Sequence, residues 1–167
     1  MKIWKQRHIK FFLIMELNVE NDTNYISDKI YLEKADERIK TIKSKQAWHR
    51  LEKCEKKNNR VLMLKNNVKD VVGYCVVAEK GHLGDLFKVR ECNQYISNIY
   101  IFPNYRNMGY AKELLKVITK TSGRYRLCVR TNNFCAMNSY HNAGFKVIDY
   151  KIVFDVYEDI CFPKYKI

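Results

Sequence analysis

The segment from residue 95 to residue 118 constrains the fold of this chain more than any other. An apolar run with several aromatic and β-branched residues, Tyr95 to Phe102, ends at Pro103, and an amphipathic pattern begins near Met108. Proline interrupts a strand ladder, and apolar residues spaced three and four apart line one face of a helix. The segment therefore predicts a strand, a tight turn and a helix in immediate succession.

The predicted turn favours an anion. Backbone N–H groups at the N-terminus of a helix are unsatisfied and carry partial positive charge, which suits a phosphate or pyrophosphate. Gly109 would let the backbone approach such a ligand without an intervening side chain, and Arg106 would add a full positive charge.

The rest of the pattern predicts a mixed α/β fold, with residues 1–167 in a single domain. Helical spacing predicts helices over 21–58, from about Met108 to Gly123, and from Asn133, as the cap, to Asn142. Strands are predicted at 9–18, 61–64, 71–78, 95–102, 125–129, 145–154 and 156–162.

Two motifs in the second half of the chain resemble those of GNAT acetyltransferases. The first is R-x-x-G-x-A at 106–111, which fits the family signature [Q/R]-x-x-G-x-[G/A]. The second is N-x-x-A-x-x-x-Y-x-x-x-G-F at 133–145, which resembles the downstream helix of the family. By motif the resemblance covers residues 96–145, and by architecture roughly residues 60–155.

The resemblance implies a mostly antiparallel central sheet, flanked by helices and splayed between the fourth and fifth predicted strands. Acetyl-CoA would bind in that cleft as co-substrate, with its pyrophosphate on the turn and its pantetheine arm along the fourth strand. The cofactor-binding residues implied are Ile99, Tyr100, Ile101, Arg106, Asn107, Met108, Gly109, Tyr110, Ala111, Asn133 and Tyr140.

The implied reaction is N-acetylation, in which a neutral amine attacks the thioester directly within a ternary complex. A backbone N–H near Ile101 would stabilise the charge that develops on the carbonyl oxygen. Tyr140, a phenol, is the expected acid that protonates the leaving thiolate.

The general base stays open at this stage. Ser97 and Asn98 stand where related enzymes often carry a glutamate, so either residue could relay a proton through water. A carboxylate such as Glu79 or Glu91 could instead reach the cleft. A substrate amine of low pKa would need no base.

Three functions remain compatible with the sequence. The net charge of +13 and the basic segment 38–60 slightly favour a macromolecular acceptor, a protein amine or an aminoacyl-tRNA, with contact to RNA or the ribosome. The same charge also fits a composition rich in Lys, Asn, Ile and Tyr. A small amine acceptor ranks lower, because a basic protein repels polyamines. The third alternative is a module that binds acetyl-CoA or RNA without catalysis.

The cysteines and the apolar runs bear on compartment and partners. Six cysteines form no C-x-x-C pair and no zinc-ligand spacing with histidine, so we expect reduced thiols, a cytoplasmic protein and no metal. No apolar run approaches the length of a membrane span, so no membrane partner is expected. The final strands could add to the sheet of a second copy, which leaves a homodimer open.

Overall fold

The structure is a computed structural model that describes residues 9–36, 59–79, 94–157 and 164–166. The strands in these ranges are β1 Ile9–Val19, β2 Ile30–Lys34, β3 Arg60–Asn66, β4 Val71–Glu79, β5 Gln94–Ile101, β6 Gly123–Arg130, β7 Lys146–Tyr157 and β8 Lys164–Lys166. The helices are α1 Tyr110–Ile118 and α2 Phe134–Asn142, and a 3-10 turn spans Pro103–Tyr105.

All eight described strands form one sheet, in the order β2-β3-β4-β5-β6-β1-β7-β8. Every neighbouring pair is antiparallel except β5 and β6, which run parallel. The predicted α/β fold with a mixed, mostly antiparallel sheet is confirmed.

The first strand lies in the middle of the sheet. Strands that follow one another in sequence usually lie side by side, yet β1 is far from β2. It pairs instead with β6 on one side and with β7 on the other. Ile14 and Met15 are buried at its centre, with 0% and 3% of their surface exposed. The N-terminal strand is therefore an integral part of the core.

The sheet divides between β5 and β6. Their parallel pairing runs from Gln94 with Tyr125 to Ile96 with Leu127, and goes no further along the described strands. Beyond that point β6 remains paired with β1 as far as Arg130, and β5 remains paired with β4. The two strands therefore diverge, and the predicted splay between the fourth and fifth predicted strands, which are β5 and β6, is confirmed.

Both described helices pack on one face of the sheet. Leu115 of α1 and Met137 of α2 join the same apolar cluster. On β6 that cluster takes the alternate residues Tyr125, Leu127 and Val129, which point to a single face because side chains alternate along a strand. This shared cluster packs both helices against the same face of the sheet, next to the split.

The helix predicted over 21–58 is wrong where the structure describes it. Residues 20–29 are irregular and Ile30–Lys34 is strand β2, paired with β3; residues 37–58 lie outside the described ranges. The spacing places Ile26 and Ile30 on one face of the predicted helix, yet Ile26 is 87% exposed, whereas Ile30 is buried. Pairing with β3 and burial of Ile30 outweighed the helical spacing, because strand preference depends on packing more than on local sequence.

Two predicted boundaries also differ from the structure. Helix α1 ends at Ile118, and Gly123 begins β6 instead of closing the helix. Strand β7 continues to Tyr157 through the break predicted after residue 154. Residues 158–163, most of the last predicted strand, are outside the described ranges, and β8 follows them.

Replacing Ile14 with alanine tests the central position of β1. The side chain is fully buried, so the cavity and lost burial are expected to lower the free energy of unfolding by about 3 kcal/mol. The matched control is Ile26→Ala at an exposed site, which should change it by no more than about 0.5 kcal/mol. Urea denaturation followed by circular dichroism measures both, and equal effects would contradict the buried position of β1.

Candidate active site

The turn after β5 has the backbone conformation that an anion site needs. It begins with the 3-10 turn, after which Asn107 and Gly109 adopt positive φ angles of 62° and 83°. Asparagine tolerates this left-handed region and glycine adopts it freely, whereas most other residues are strained there. The two residues turn the chain directly into the start of α1.

The N-terminus of α1 is uncapped by any side chain. Gly109 is the N-cap residue, and the first helical bond is donated by the Glu113 N–H to the Gly109 carbonyl, at 3.1 Å. The N–H groups of residues 110–112 precede that bond and so have no intrahelical acceptor. They form a group of donors, supported by the helix dipole, that can bind a phosphate.

Arg106 is held against the end of β5. Its Nε donates to the Ile101 carbonyl at 3.0 Å, and its guanidinium lies over the Tyr100 ring, 5.3 Å from the centroid. Tyr100 is itself stacked on Tyr74, at 5.5 Å between centroids. A guanidinium carries five N–H donors, so the bond from Nε leaves the two terminal nitrogens to bind an anion at the turn.

The strand edge that faces the split can pair with an extended ligand. The Phe102 N–H donates to the Val72 carbonyl across β4 and β5, at 2.9 Å. Because alternate residues of an antiparallel strand bond to alternate sides, Ile101 and Ile99 direct their N–H and C=O groups away from β4. That side is where β6 has diverged, so these groups line the split. The Ile101 carbonyl already accepts the Arg106 bond, whereas its N–H points into the cleft.

Ser97 and Asn98 lie where the strands part. Val76 pairs with Asn98 and Val77 with Ile96, so Ser97 is the extra residue of a bulge in β5. The Ser97 hydroxyl donates to the Val76 carbonyl at 3.2 Å, which ties it to β4. The Asn98 side chain is exposed. The bulge interrupts the pairing of β4 with β5 next to Ile96, the residue at which the pairing of β5 with β6 stops.

Tyr140 stands on the other side of the split, on α2. Its ring contacts that of Phe145 at 6.2 Å, and it packs on the apolar cluster that also receives Ile99. Burial raises the pKa of the Tyr140 phenol to about 12, with a smaller contribution from the nearby Cys128. Burial also raises the pKa of the Cys128 thiol to about 12. Both groups therefore keep their protons at neutral pH.

Asn133 caps α2 as the sequence predicts. Its side-chain oxygen accepts from the Ala136 N–H at 3.2 Å, and residue 133 is exposed. The amide nitrogen of the side chain remains a donor, because the cap uses the oxygen alone. Contact between this nitrogen and a cofactor stays a prediction.

A segment that sequence reasoning missed lies along α1. The strap, residues 20–29, is fixed near the C-terminal end of the helix by the Thr23 N–H, which donates to the Lys120 carbonyl at 2.7 Å. Further along, the Tyr25 and Ser27 hydroxyls both donate to the Glu113 carboxylate. The hydrogen bond from Tyr25 is the main cause that lowers the pKa of Glu113. No sequence motif marks the strap, because its contacts join residues about 90 positions apart.

The described residues contain neither a metal-ligand cluster nor a membrane-spanning helix. Among the residues that the structure describes, no group of three or more His, Cys, Asp or Glu side chains could hold a metal ion. No described helix is long and apolar enough to cross a bilayer.

The raised pKa of the buried Cys128 thiol predicts a difference in reactivity between two cysteines. At pH 8 a thiol of pKa about 12 is only about 0.01% thiolate, so Cys128 should react with iodoacetamide at least about 100-fold more slowly than the exposed Cys135. Pulse alkylation with peptide mass spectrometry measures the two rates. Unfolding in urea should remove most of the difference, and equal rates in the native protein would contradict the burial of Cys128.

Solved structures of acetyltransferases share this fold. A GNAT-family acetyltransferase from Colwellia psychrerythraea superposes with a TM-score of 0.58 over 89% of this chain, at 14% identity. A protein from Novosphingobium aromaticivorans assigned to the family gives 0.53 over 87%, at 12% identity. This chain spans 56% and 63% of those two proteins, respectively. YycN of Bacillus subtilis, assigned to the acetyltransferases, gives 0.51 over 72% of this chain and 94% of its own length, at 19% identity.

The sequence comparisons give the family. A search among curated proteins found no match. The model of the acetyltransferase (GNAT) family matches residues 17–145, a range that contains the turn, α1, the split and α2. The chain therefore belongs to the GNAT family of acetyltransferases.

Proposed function

We propose that this protein transfers the acetyl group of acetyl-CoA to a primary amine, by direct attack in the cleft between β5 and β6. The observation that carries the proposal is the alignment of two features along β5. The strand edge at Ile99 and Ile101 has no β6 partner in the described ranges, and the uncapped start of α1 follows directly after it. The pantetheine arm of acetyl-CoA is extended and joins a pyrophosphate, so it fits the order of these two groups of hydrogen-bond donors along the chain.

The proposed cofactor contacts follow from these donors. The N–H groups of residues 110–112 bind the pyrophosphate, with added charge from the terminal nitrogens of Arg106. The arm pairs with Ile99 and Ile101 as an added strand. An N–H of this edge near Ile101 that does not bind the arm donates to the thioester oxygen, where negative charge develops during attack.

Tyr140 is proposed as the group that stabilises the leaving sulfur. A thiol has an ordinary pKa near 8.5, about 3.5 units below the value of about 12 for this phenol. Full proton transfer to the thiolate is therefore unfavourable unless the bound substrates lower the pKa of Tyr140. The primary role proposed for Tyr140 is a hydrogen bond to the sulfur, which strengthens as charge builds up there.

The side chains at the split favour an acceptor amine of low pKa. Ser97 is bonded to a backbone carbonyl, Asn98 does not titrate, and Cys128 keeps its proton at neutral pH. The side chains of Glu79 and Glu91 lie outside the described residues. An α-amino group has a pKa near 7.7–8.0, so much of it is neutral at pH 7.5, and water beside Asn98 can accept the proton. A protein N-terminus or an aminoacyl-tRNA offers such an amine.

Contact with RNA or the ribosome stays a proposal that rests on charge. Residues 38–58 of the basic segment lie outside the described ranges, so the support is the net charge of +13 and the clustering of lysine and arginine there. Homodimerisation and a cytoplasmic location likewise rest on the sequence arguments alone.

Calorimetric titration with acetyl-CoA tests the cofactor. We expect saturable binding by the wild type and a loss of at least about 30-fold in Gly109→Glu, because a carboxylate beside the pyrophosphate costs about 2 kcal/mol or more. The control is Tyr150→Glu, which adds the same charge to the exposed face of β7 and should bind like the wild type. No binding by the wild type at millimolar acetyl-CoA would overturn the proposal. Binding without acetylation of any amine would favour a non-catalytic module.

Replacement of Tyr140 by phenylalanine tests its role in the chemical step. With peptides that carry free N-terminal amines as acceptors, kcat should fall by about 100-fold, because a hydrogen bond made mainly in the transition state is lost. The Kd of acetyl-CoA, measured by calorimetry, should stay within about twofold of the wild type. An unchanged kcat, or a loss confined to affinity, would contradict the role.

A further inference from the structure

The strap ends at a lysine, Lys29, that lies beside the turn between β5 and α1. Its course runs from the Thr23 contact near the end of α1, past Glu113, to Lys29 beside Gly109. A Cβ built on Gly109 would lie 3.6 Å from the Lys29 ammonium nitrogen, and Lys29 is exposed. The positive charge therefore stands next to the residue at which the backbone N–H donors of α1 begin.

The backbone around Lys29 is fixed from both sides. The Ser27 hydroxyl oxygen accepts from the N–H groups of Lys29 and Ile30, at 3.1 and 3.2 Å, while the hydroxyl donates to Glu113 at 2.9 Å. Ile30, the first residue of β2, is 4% exposed in the core. Only the flexible lysine side chain remains to be ordered by a ligand, so the entropic cost of using it is limited to that side chain.

The charges around the turn favour an anion next to Lys29. Within the described ranges no carboxylate forms a salt bridge with Lys29. The carboxylate of Glu113, which the strap contacts, is already bound by Tyr25, Ser27 and Lys116. Arg106 adds a second positive group from the β5 side of the turn. Two cations beside the uncapped helix donors of the turn suit a doubly charged pyrophosphate.

We propose that Lys29 is a further ligand of the pyrophosphate of acetyl-CoA, placed at the turn by Ser27 and Glu113. This inference rests on the proposed cofactor site. Lys29 binds the pyrophosphate, which lies against Gly109. It does not contact the 3′-phosphate at the far end of the nucleotide. Ser27 is a positioning residue, because it acts through the backbone of Lys29.

The test compares two ligands and two lysines by calorimetry. Lys29→Ala should weaken acetyl-CoA and 3′-dephospho-acetyl-CoA by the same factor, about 10-fold, because one charge-assisted bond to the shared pyrophosphate is lost. Lys120→Ala, which removes the same charge near the opposite end of α1, should bind both ligands within about twofold of the wild type. Lys29→Arg should retain most of the affinity.

Three results would overturn the assignment. One is unchanged binding in Lys29→Ala while the wild type binds acetyl-CoA, which leaves the proposed function intact. Another is a loss of affinity for acetyl-CoA but not for 3′-dephospho-acetyl-CoA, which would mean that Lys29 binds the 3′-phosphate. The third, no binding by the wild type, overturns the proposed function together with this inference.

A double-mutant cycle tests the positioning role. Ser27→Ala should weaken acetyl-CoA about threefold in the wild-type background and have no further effect once Lys29 is alanine, because the two residues act as one unit. Equal losses in both backgrounds would contradict a role that acts through Lys29.

Discussion

The short parallel ladder between β5 and β6 is the constraint on which the rest of the structure depends. It holds the two halves of the sheet together over Gln94–Ile96 and then stops at the Ser97 bulge. Past that point each strand keeps its outer partner, β4 for β5 and β1 for β6. The halves separate without exposing an unsupported strand, so the cleft is part of a packed fold and does not have to open. The central position of β1 makes this possible, because it continues to pair with β6 after β5 has left.

Helix α1 links the cleft to the rest of the core. Its buried leucines pack on the sheet, so its N-terminus is fixed at the end of β5. The helix also carries Glu113, which is buried and anchors the strap through the Tyr25 and Ser27 hydroxyl groups. This short helix thereby fixes the positions of the backbone N–H donors at its start and, through the strap, the position of Lys29. The anion site is consequently built from two segments that are distant in sequence and are held together by packing and hydrogen bonds.

Local patterns carried most of the correct predictions. The strands β3 and β4, the strand before Pro103, the helix after Gly109 and the Asn133 cap each depend on residues close together in sequence. The GNAT resemblance was enough to predict the splay, which periodicity alone does not give. Side-chain contacts such as the bond between Ser97 and Val76, and the effect of burial on the pKa of Tyr140, required the three-dimensional structure.

The errors arose where distant contacts decide the structure. The spacing of Ile26, Ile30 and Tyr31 suggested a helix, but the partner of this segment is β3, more than 25 residues later in the chain. The importance of Lys29 was hidden for the same reason, since its neighbour Gly109 is 80 positions away. A pattern within one window cannot report such contacts.

The central claim is that one ligand spans the β5 edge and the start of α1. Amide hydrogen exchange with and without saturating acetyl-CoA tests it most directly, because it reports on the backbone N–H groups themselves. If acetyl-CoA binds in this way, exchange slows at Ile99, Ile101 and residues 110–112, with little change in β7. Unchanged exchange at these amides in a complex that calorimetry shows to be saturated would contradict it.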